Sequence, residues 1–166
     1  MIVRDARTED AEALARVNAA VAEEGLIATE PPVDVAARAG RFRESIESEG
    51  PDAVWALEDD GRIVGNAGVQ AAGTPGVLLL GMALLPEARG RGGGRLLLEA
   101  MIEHAQATGS HKLELEVWPD NAPAIALYES AGFEVEGVRR DHYRRRDGSL
   151  RSALLMALLL DPAPET

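Results

Sequence analysis

The chain of 166 residues contains no cysteine, which excludes a thiolate nucleophile, a Cys-based zinc site and a disulfide framework together. Aromatic residues are few. Phe42, Trp55, Trp118, Tyr128, Phe133 and Tyr143 are scattered along the sequence and offer no base-stacking platform. Positive charge is also scarce: 17 Lys+Arg against 28 Asp+Glu give a formal net charge of −11, the opposite of the basic face that neutralises phosphates in broad nucleic-acid binding. Long apolar runs are missing. The longest without glycine, Ala153 to Leu160, falls far short of the roughly 20 residues that cross a bilayer. The opening Met1-Ile2-Val3-Arg4-Asp5-Ala6-Arg7 becomes charged too soon to read as a signal peptide. These absences predict a cytoplasmic protein with neither nucleic-acid nor membrane partners. No His/Asp/Glu spacing suggests a metal site, so no metal is expected.

What is present is one domain's worth of alternating patterns. A chain of this length buries roughly 70% of its unfolded surface and needs no staple. Residues 1–160 read as a single domain and 161–166 as a flexible tail. Ile2-Val3-Arg4 forms a short strand. Thr8, followed by Glu9, Asp10 and Glu12, reads as the N-cap of a helix with Ala11, Leu14, Val17 and Val21 on one face. A second helix runs from Asp34 to Glu49, burying Val35, Ala39, Phe42 and Ile46. Strands follow at residues 53–57 and 62–69, joined by the turn Glu58-Asp59-Asp60-Gly61, and at 77–85, apolar on both faces and therefore central. A helix of about 15 residues carries Leu96, Leu97, Ala100 and Met101. Residues 111–117 alternate Leu113, Leu115 and Val117 with charged residues, a half-exposed strand. Asn121 caps a short helix through Ala131, and two long strands, 133–145 and 150–160, flank the turn Arg146-Asp147-Gly148-Ser149. The fold class is α/β (α+β): a mixed, mostly antiparallel sheet of about seven strands with helices on both faces. Trp55, Phe42 and Phe133 read as core, and His104 and His111 as surface.

The informative stretch is Pro86-Glu87-Ala88-Arg89-Gly90-Arg91-Gly92-Gly93-Gly94-Arg95, placed where the buried strand gives way to a helix. Glycines let backbone approach a ligand and aim successive N–H groups at it, and the helix N-terminus adds favourable partial charge. With Arg89, Arg91 and Arg95 around it, the turn is a candidate pyrophosphate cradle. It is not a Walker loop, because Arg95-Leu96 stands where Lys-Ser/Thr is required. It is not a dinucleotide fingerprint either: the turn lies mid-chain and no second mononucleotide-binding half follows.

The run Arg89-Gly90-Arg91-Gly92-Gly93-Gly94 resembles the acyl-CoA signature Arg/Gln-x-x-Gly-x-Gly/Ala of the GNAT superfamily of N-acetyltransferases. Downstream, Asn121-Ala122-Pro123-Ala124-Ile125-Ala126-Leu127-Tyr128-Glu129-Ser130-Ala131-Gly132-Phe133 is similar to the same family's Asn-x-x-Ala-x-x-Leu-Tyr-x-x-x-Gly-Phe segment, with its spacing intact. The stretch from Glu136 through Tyr143 and Asp147-Gly148 to Met156 looks like the branch acting on amino acids, small amines or protein N-termini. The resemblance implies the GNAT fold and an N-acetyltransferase that moves the acetyl group of acetyl-CoA, its co-substrate, to a primary amine by direct attack in a ternary complex. The acceptor is expected to be an amino acid, another small amine or a peptide amine. A CoA-binding domain without turnover is the competing reading.

The resemblance also implies roles. Gly90, Gly92, Gly93 and Gly94, with Arg89, Arg91 and Arg95, would hold the pyrophosphate; Met82, Ala83 and Leu84 would pair with the pantetheine arm; Asn121 would hydrogen-bond it. Tyr128 is the expected general acid, giving its phenolic proton to the departing thiolate. The base is left open among Glu30, Glu114, Glu116, Asp141 and His142; many relatives carry an acid on the fourth strand, residues 77–85 hold none, and this departure favours a water relay. Arg139 and Arg140 adjoin on one strand, so only one faces the cleft, where a substrate carboxylate would pair with it. Exposed strand edges near the C-terminus make a homodimer a further expectation.

Overall fold

The computed structural model describes residues 1–161, so the expected tail beyond Asp161 lies outside the described residues. Seven strands form one sheet: β1 (Ile2–Asp5), β2 (Ala53–Asp59), β3 (Arg62–Ala71), β4 (Val77–Leu84), β5 (Lys112–Val117), β6 (Glu134–Arg144) and β7 (Leu150–Leu159), in the order β1-β2-β3-β4-β5-β7-β6. Every neighbouring pair is antiparallel except β4 and β5. The helices are α1 (Ala11–Glu23), α2 (Val35–Glu47), α3 (Gly93–Ala107) and α4 (Ala122–Ser130).

The period-2 pattern decides which face each helix covers. On β4, Leu78, Leu80, Met82 and Leu84 point to the main core, where α3 inserts Leu97, Leu98 and Met101 and α4 places Tyr128. Ala83 points the other way, onto Val17 and Val21 of α1. α2 lies on α1 through Ala39 against Ala11 and Ala15, with Phe42 reaching Leu14 and Val54. Trp55 and Phe133 are buried core residues, and Phe42 is half-buried. His104 is not a free surface residue: its Nε2 lies 2.8 Å from Pro51 O and its ring meets Trp55 edge-on.

Thr8 does not cap α1. Residues Thr8–Asp10 form a turn of 3₁₀ helix ahead of it, and Asp10 takes over the capping chemistry: its Oδ2 accepts from Arg7 N–H at 2.7 Å. The reason is Arg4, whose guanidinium donates to both Asp10 oxygens (2.8 and 3.0 Å) and to Glu58 (2.9 Å), fixing Asp10 against β1. This fork holds the Asp10 carboxyl below the usual carboxylate range. Asp34 does cap α2 through Ala37 N–H at 3.0 Å.

Candidate active site

The sheet opens in its middle. β4 and β5 run side by side and pair only at Val77–Lys112, Leu78–Leu113 and Leu79–Glu114. β4 then continues to Leu84 and β5 to Val117 with their facing edges unbridged. A cleft of about 1540 Å³ passes through this gap.

At one side of the cleft lies the glycine turn. Gly90 (φ 68°) and Gly92 (φ 87°) sit in the left-handed region that disfavours side chains, which turns the chain from β4 into α3. Among the described residues, no backbone N–H from Gly90 through Arg95 meets an acceptor; the first bond of α3 is Leu96 N–H to Gly92 O at 3.1 Å. These free donors sit at the positive end of a helix of 15 residues, an arrangement suited to an anion. Gly93 and Gly94 serve a different need. A Cβ on Gly93 would lie 2.7 Å from Leu57 Cδ2, and one on Gly94 would lie 2.9 Å from Leu127 Cδ2.

The three arginines of the turn have separate partners. Arg89 donates from Nε and Nη2 to Leu84 O (3.0 and 2.7 Å) and pairs with Glu24, drawing that carboxyl below its usual range. Arg91 joins Asp59 (2.9 Å) and Glu87 O, and Arg95 reaches Ser130 Oγ at 2.8 Å.

Across the gap, Asn121 and Tyr128 line the same cleft from the ends of α4. Asn121 Oδ1 caps the helix through Ala124 N–H (3.3 Å). Tyr128 is buried at 7% exposure with its ring tilted against Phe133, and among the described residues its hydroxyl has no hydrogen-bond partner. Burial pushes the phenol up to about 12, so it remains protonated at neutral pH.

The opposite face of the gap is a groove between α2 and the β6–β7 hairpin. Its floor is nearly bare because Gly68 and Gly81 are direct cross-strand partners. Of the five candidate bases only Glu116 lines the cleft. Its Oε1 lies 2.6 Å from Arg139 Nε and its Oε2 accepts from Tyr143 O–H, so both oxygens are occupied. Burial and this bond push the Tyr143 phenol up to about 12. Glu114 pairs with Lys112, Glu30 with Arg145 and Arg146 N–H, and His142 approaches Arg139; the Asp141 N–H donates to Ser152 Oγ. Of the Arg139–Arg140 pair, Arg139 meets the cleft-lining Glu116, and neither arginine itself lines the cleft.

Sequence reasoning assigned no role to Trp118, Arg38, Arg41, Gly68 or Gly81. Trp118 is buried with Arg151 4.1 Å above its ring, Tyr143 edge-on at 5.3 Å and an unpartnered Nε1. Glycines inside two adjacent strands are a sequence signal for close approach, and two arginines three apart on the polar side of α2 share one helix face. Among the described residues no three His, Asp or Glu side chains group to hold a metal ion, and no helix is long and apolar enough to cross a membrane.

An open parallel pair beside an anion-ready helix terminus makes an α/β fold with an anion-binding cleft, and comparison supplies the family. The sequence model of the acetyltransferase (GNAT) family matches residues 20–133, and the chain belongs to that family. Its structure is similar to the ribosomal-protein-alanine N-acetyltransferase from Brucella melitensis (TM-score 0.86, 28% identity, 96% of this chain and 100% of that one). It is also similar to the ribosomal-protein-S18-alanine N-acetyltransferase from Escherichia coli (0.73, 30%, 99% and 97%). A third similar structure, a putative acetyltransferase from Salmonella typhimurium, was solved with acetyl-CoA (0.85, 24%, 100% and 97%). A search of curated proteins by sequence found no match.

Proposed function

We propose that the protein transfers the acetyl group of acetyl-CoA directly to the amine of an amino acid or other small amine. The observation that carries this reading is the partnerless, protonated Tyr128 hydroxyl in the same cleft as the free N–H groups of Gly90 to Arg95. The residues fit the co-substrate. The turn offers donors for a diphosphate, the unbridged edge of Met82, Ala83 and Leu84 offers amide pairing to a pantetheine arm, and the Asn121 amide nitrogen is free beside it. When bound, acetyl-CoA supplies an activated thioester.

The chain's own residues then do three things. The cradle and the β4 edge fix the thioester between Tyr128 and the groove. Tyr128 Oη gives its proton to the sulfur that leaves; its raised pKa keeps the hydroxyl protonated up to that step, and the basic thiolate formed beside it takes the proton. Glu116 faces the acceptor with negative charge, attracting an ammonium group, while water carries away the proton that the amine loses.

A small acceptor is favoured by the groove's roof. Arg145 donates to Ala28 O (2.8 Å), Arg146 N–H to Glu30 (3.1 Å) and Arg146 Nη1 to Pro31 O, tying the α1–α2 loop to the β6–β7 hairpin. A peptide α-amine is the second reading, favoured by the likeness to the two ribosomal-protein-alanine enzymes. The test is thiol release from acetyl-CoA across a panel of amino acids, simple amines and alanine-initiated peptides. Release with small amines supports the proposal; binding of acetyl-CoA without release for any amine overturns it.

A further inference from the structure

We infer that Arg38 and Arg41 form an oxyanion subsite, so that the acceptor is an amine that also carries a carboxylate. This rests on the acetyltransferase reading and names the substrate class for its groove. Both side chains line the cleft from α2, one helical turn apart, next to the bare floor at Gly68 and Gly81. In a chain of net charge −11, neither has a carboxylate partner among the described residues. Arg38 is half-buried, with its guanidinium 5.8 Å from the Phe42 ring centroid. Burial and the like charge of Arg41 both pull its pKa down. A half-buried guanidinium with a second, exposed one a helical turn away, neither with a carboxylate partner among the described residues, is stabilised by an anion placed between them.

The Arg38 side chain is also aimed. The Asn18 amide orientation that answers Arg38 turns Oδ1 to Arg38 Nη2 (2.8 Å) and Nε (3.1 Å) and its nitrogen to Asn66 Oδ1 (3.2 Å), in exchange for the alternative bond from Asn66 Nδ2 to Asn18 Oδ1 (2.8 Å). Asn66 Nδ2 in turn donates to Leu14 O at 3.2 Å. Asn18 and Asn66 are both buried, so this chain fixes one edge of the guanidinium to α1 and β3. Nη1 and the whole Arg41 head remain for a ligand. An amino carboxylate satisfies both sides of the groove: its oxyanion meets α2, and its ammonium meets the Glu116 side. A peptide N-terminus brings the amine without the adjoining carboxylate.

The test compares amino acids with their carboxamides, which keep the amine and side chain and remove the charge. Thiol release is measured at saturating acetyl-CoA for the wild type, Arg38→Gln and Arg41→Glu. Arg41 is exposed and unpaired, so its variant keeps the fold while reversing the local charge. The readout is the ratio of kcat/KM for acid to amide, which cancels any general loss of activity. The wild type is expected to favour the acid by about tenfold or more, the scale of a charge-assisted hydrogen bond. Both variants should bring the ratio toward one, with the acetyl-CoA Kd unchanged. Equal rates for acid and amide, a preference that survives both substitutions, or a weakened acetyl-CoA Kd in the variants would each overturn the subsite. If no amine releases thiol, the transfer reading fails separately, and the subsite is read from succinate alone. Succinate should then raise the wild-type Tm and leave the Arg38→Gln/Arg41→Glu double variant unmoved; equal shifts overturn it.

Discussion

Gly93 at the start of α3 packs so closely on Leu57 of β2 that a Cβ there would stand 2.7 Å from Leu57 Cδ2 and 3.2 Å from Ala88 O. The contact sets how near the N-terminus of α3 lies to the sheet, and so where its free N–H groups point. Gly93→Ala should overpack this junction, costing about 1–3 kcal/mol of stability. Because the helix must move to relieve the clash, the acetyl-CoA Kd should weaken as well. Urea denaturation and ligand titration of the same preparation check both effects.

Gly92 is constrained by conformation instead of space. Its φ is 87°, and nothing lies within 4 Å of a Cβ built on it. Gly92→Ala and Gly92→Asp should share a backbone penalty of about 1–2 kcal/mol. Only the aspartate places negative charge among the free donors, so its acetyl-CoA KM should rise well beyond that of the alanine variant. Equal KM values for the two would remove the cradle assignment.

These two glycines show what the sequence made legible and what it did not. The run from Arg89 to Arg95 marked the turn, and the alternation of residues 112–117 marked a half-buried strand, because both signals are local. The break in β4–β5 pairing after Leu79–Glu114 is not local, since it depends on how two distant strands diverge. Thr8 failed as a cap because Arg4, on the neighbouring strand, recruits Asp10. Arg38 and Arg41 belong to no local motif, and only the floor of paired glycines beside them sets them apart from other helix charges. Glu116 was one of five open candidates, and only the folded groove separates it from Glu114, two residues away on the same strand face.

The proposed transfer sends the proton of the acceptor ammonium to water while Glu116 keeps Arg139 and Tyr143. The acidic limb of kcat/KM should therefore track the pKa of the amine itself across a series of acceptors. Glu116→Gln should lower kcat/KM for every amine without fixing that limb at a new pH. A limb that stays put while the amine pKa changes would show an enzyme base instead.

The two phenols that line the cleft make an alkaline prediction. Tyr128 is raised to about 12 by burial, and Tyr143 to about 12 by burial and its bond to Glu116. Each remains neutral in the fold over a range where the unfolded chain ionises near 10. Their stabilising contribution is present below about pH 10 and is lost as pH rises toward about 12. The urea midpoint should fall across that window, and Tyr128→Phe should flatten the fall.

Tyr128→Phe should also lower kcat while leaving acetyl-CoA binding nearly intact. Among the described residues the hydroxyl has no partner, so removing it breaks no hydrogen bond there, and the ring keeps its contact with Phe133. Its loss is felt only when the sulfur departs and needs a proton, which places the damage in the transition state and not in the ground state. A positioned general acid contributes on the order of 10²–10⁴-fold, with the lower end expected where water enters the cleft from the open groove. Measuring kcat, acetyl-CoA Kd and Tm on one preparation separates the outcomes. A large fall in kcat with the other two unmoved assigns the proton to Tyr128. An unchanged kcat, under conditions where chemistry limits turnover, would make Tyr128 a packing residue and leave water as the acid.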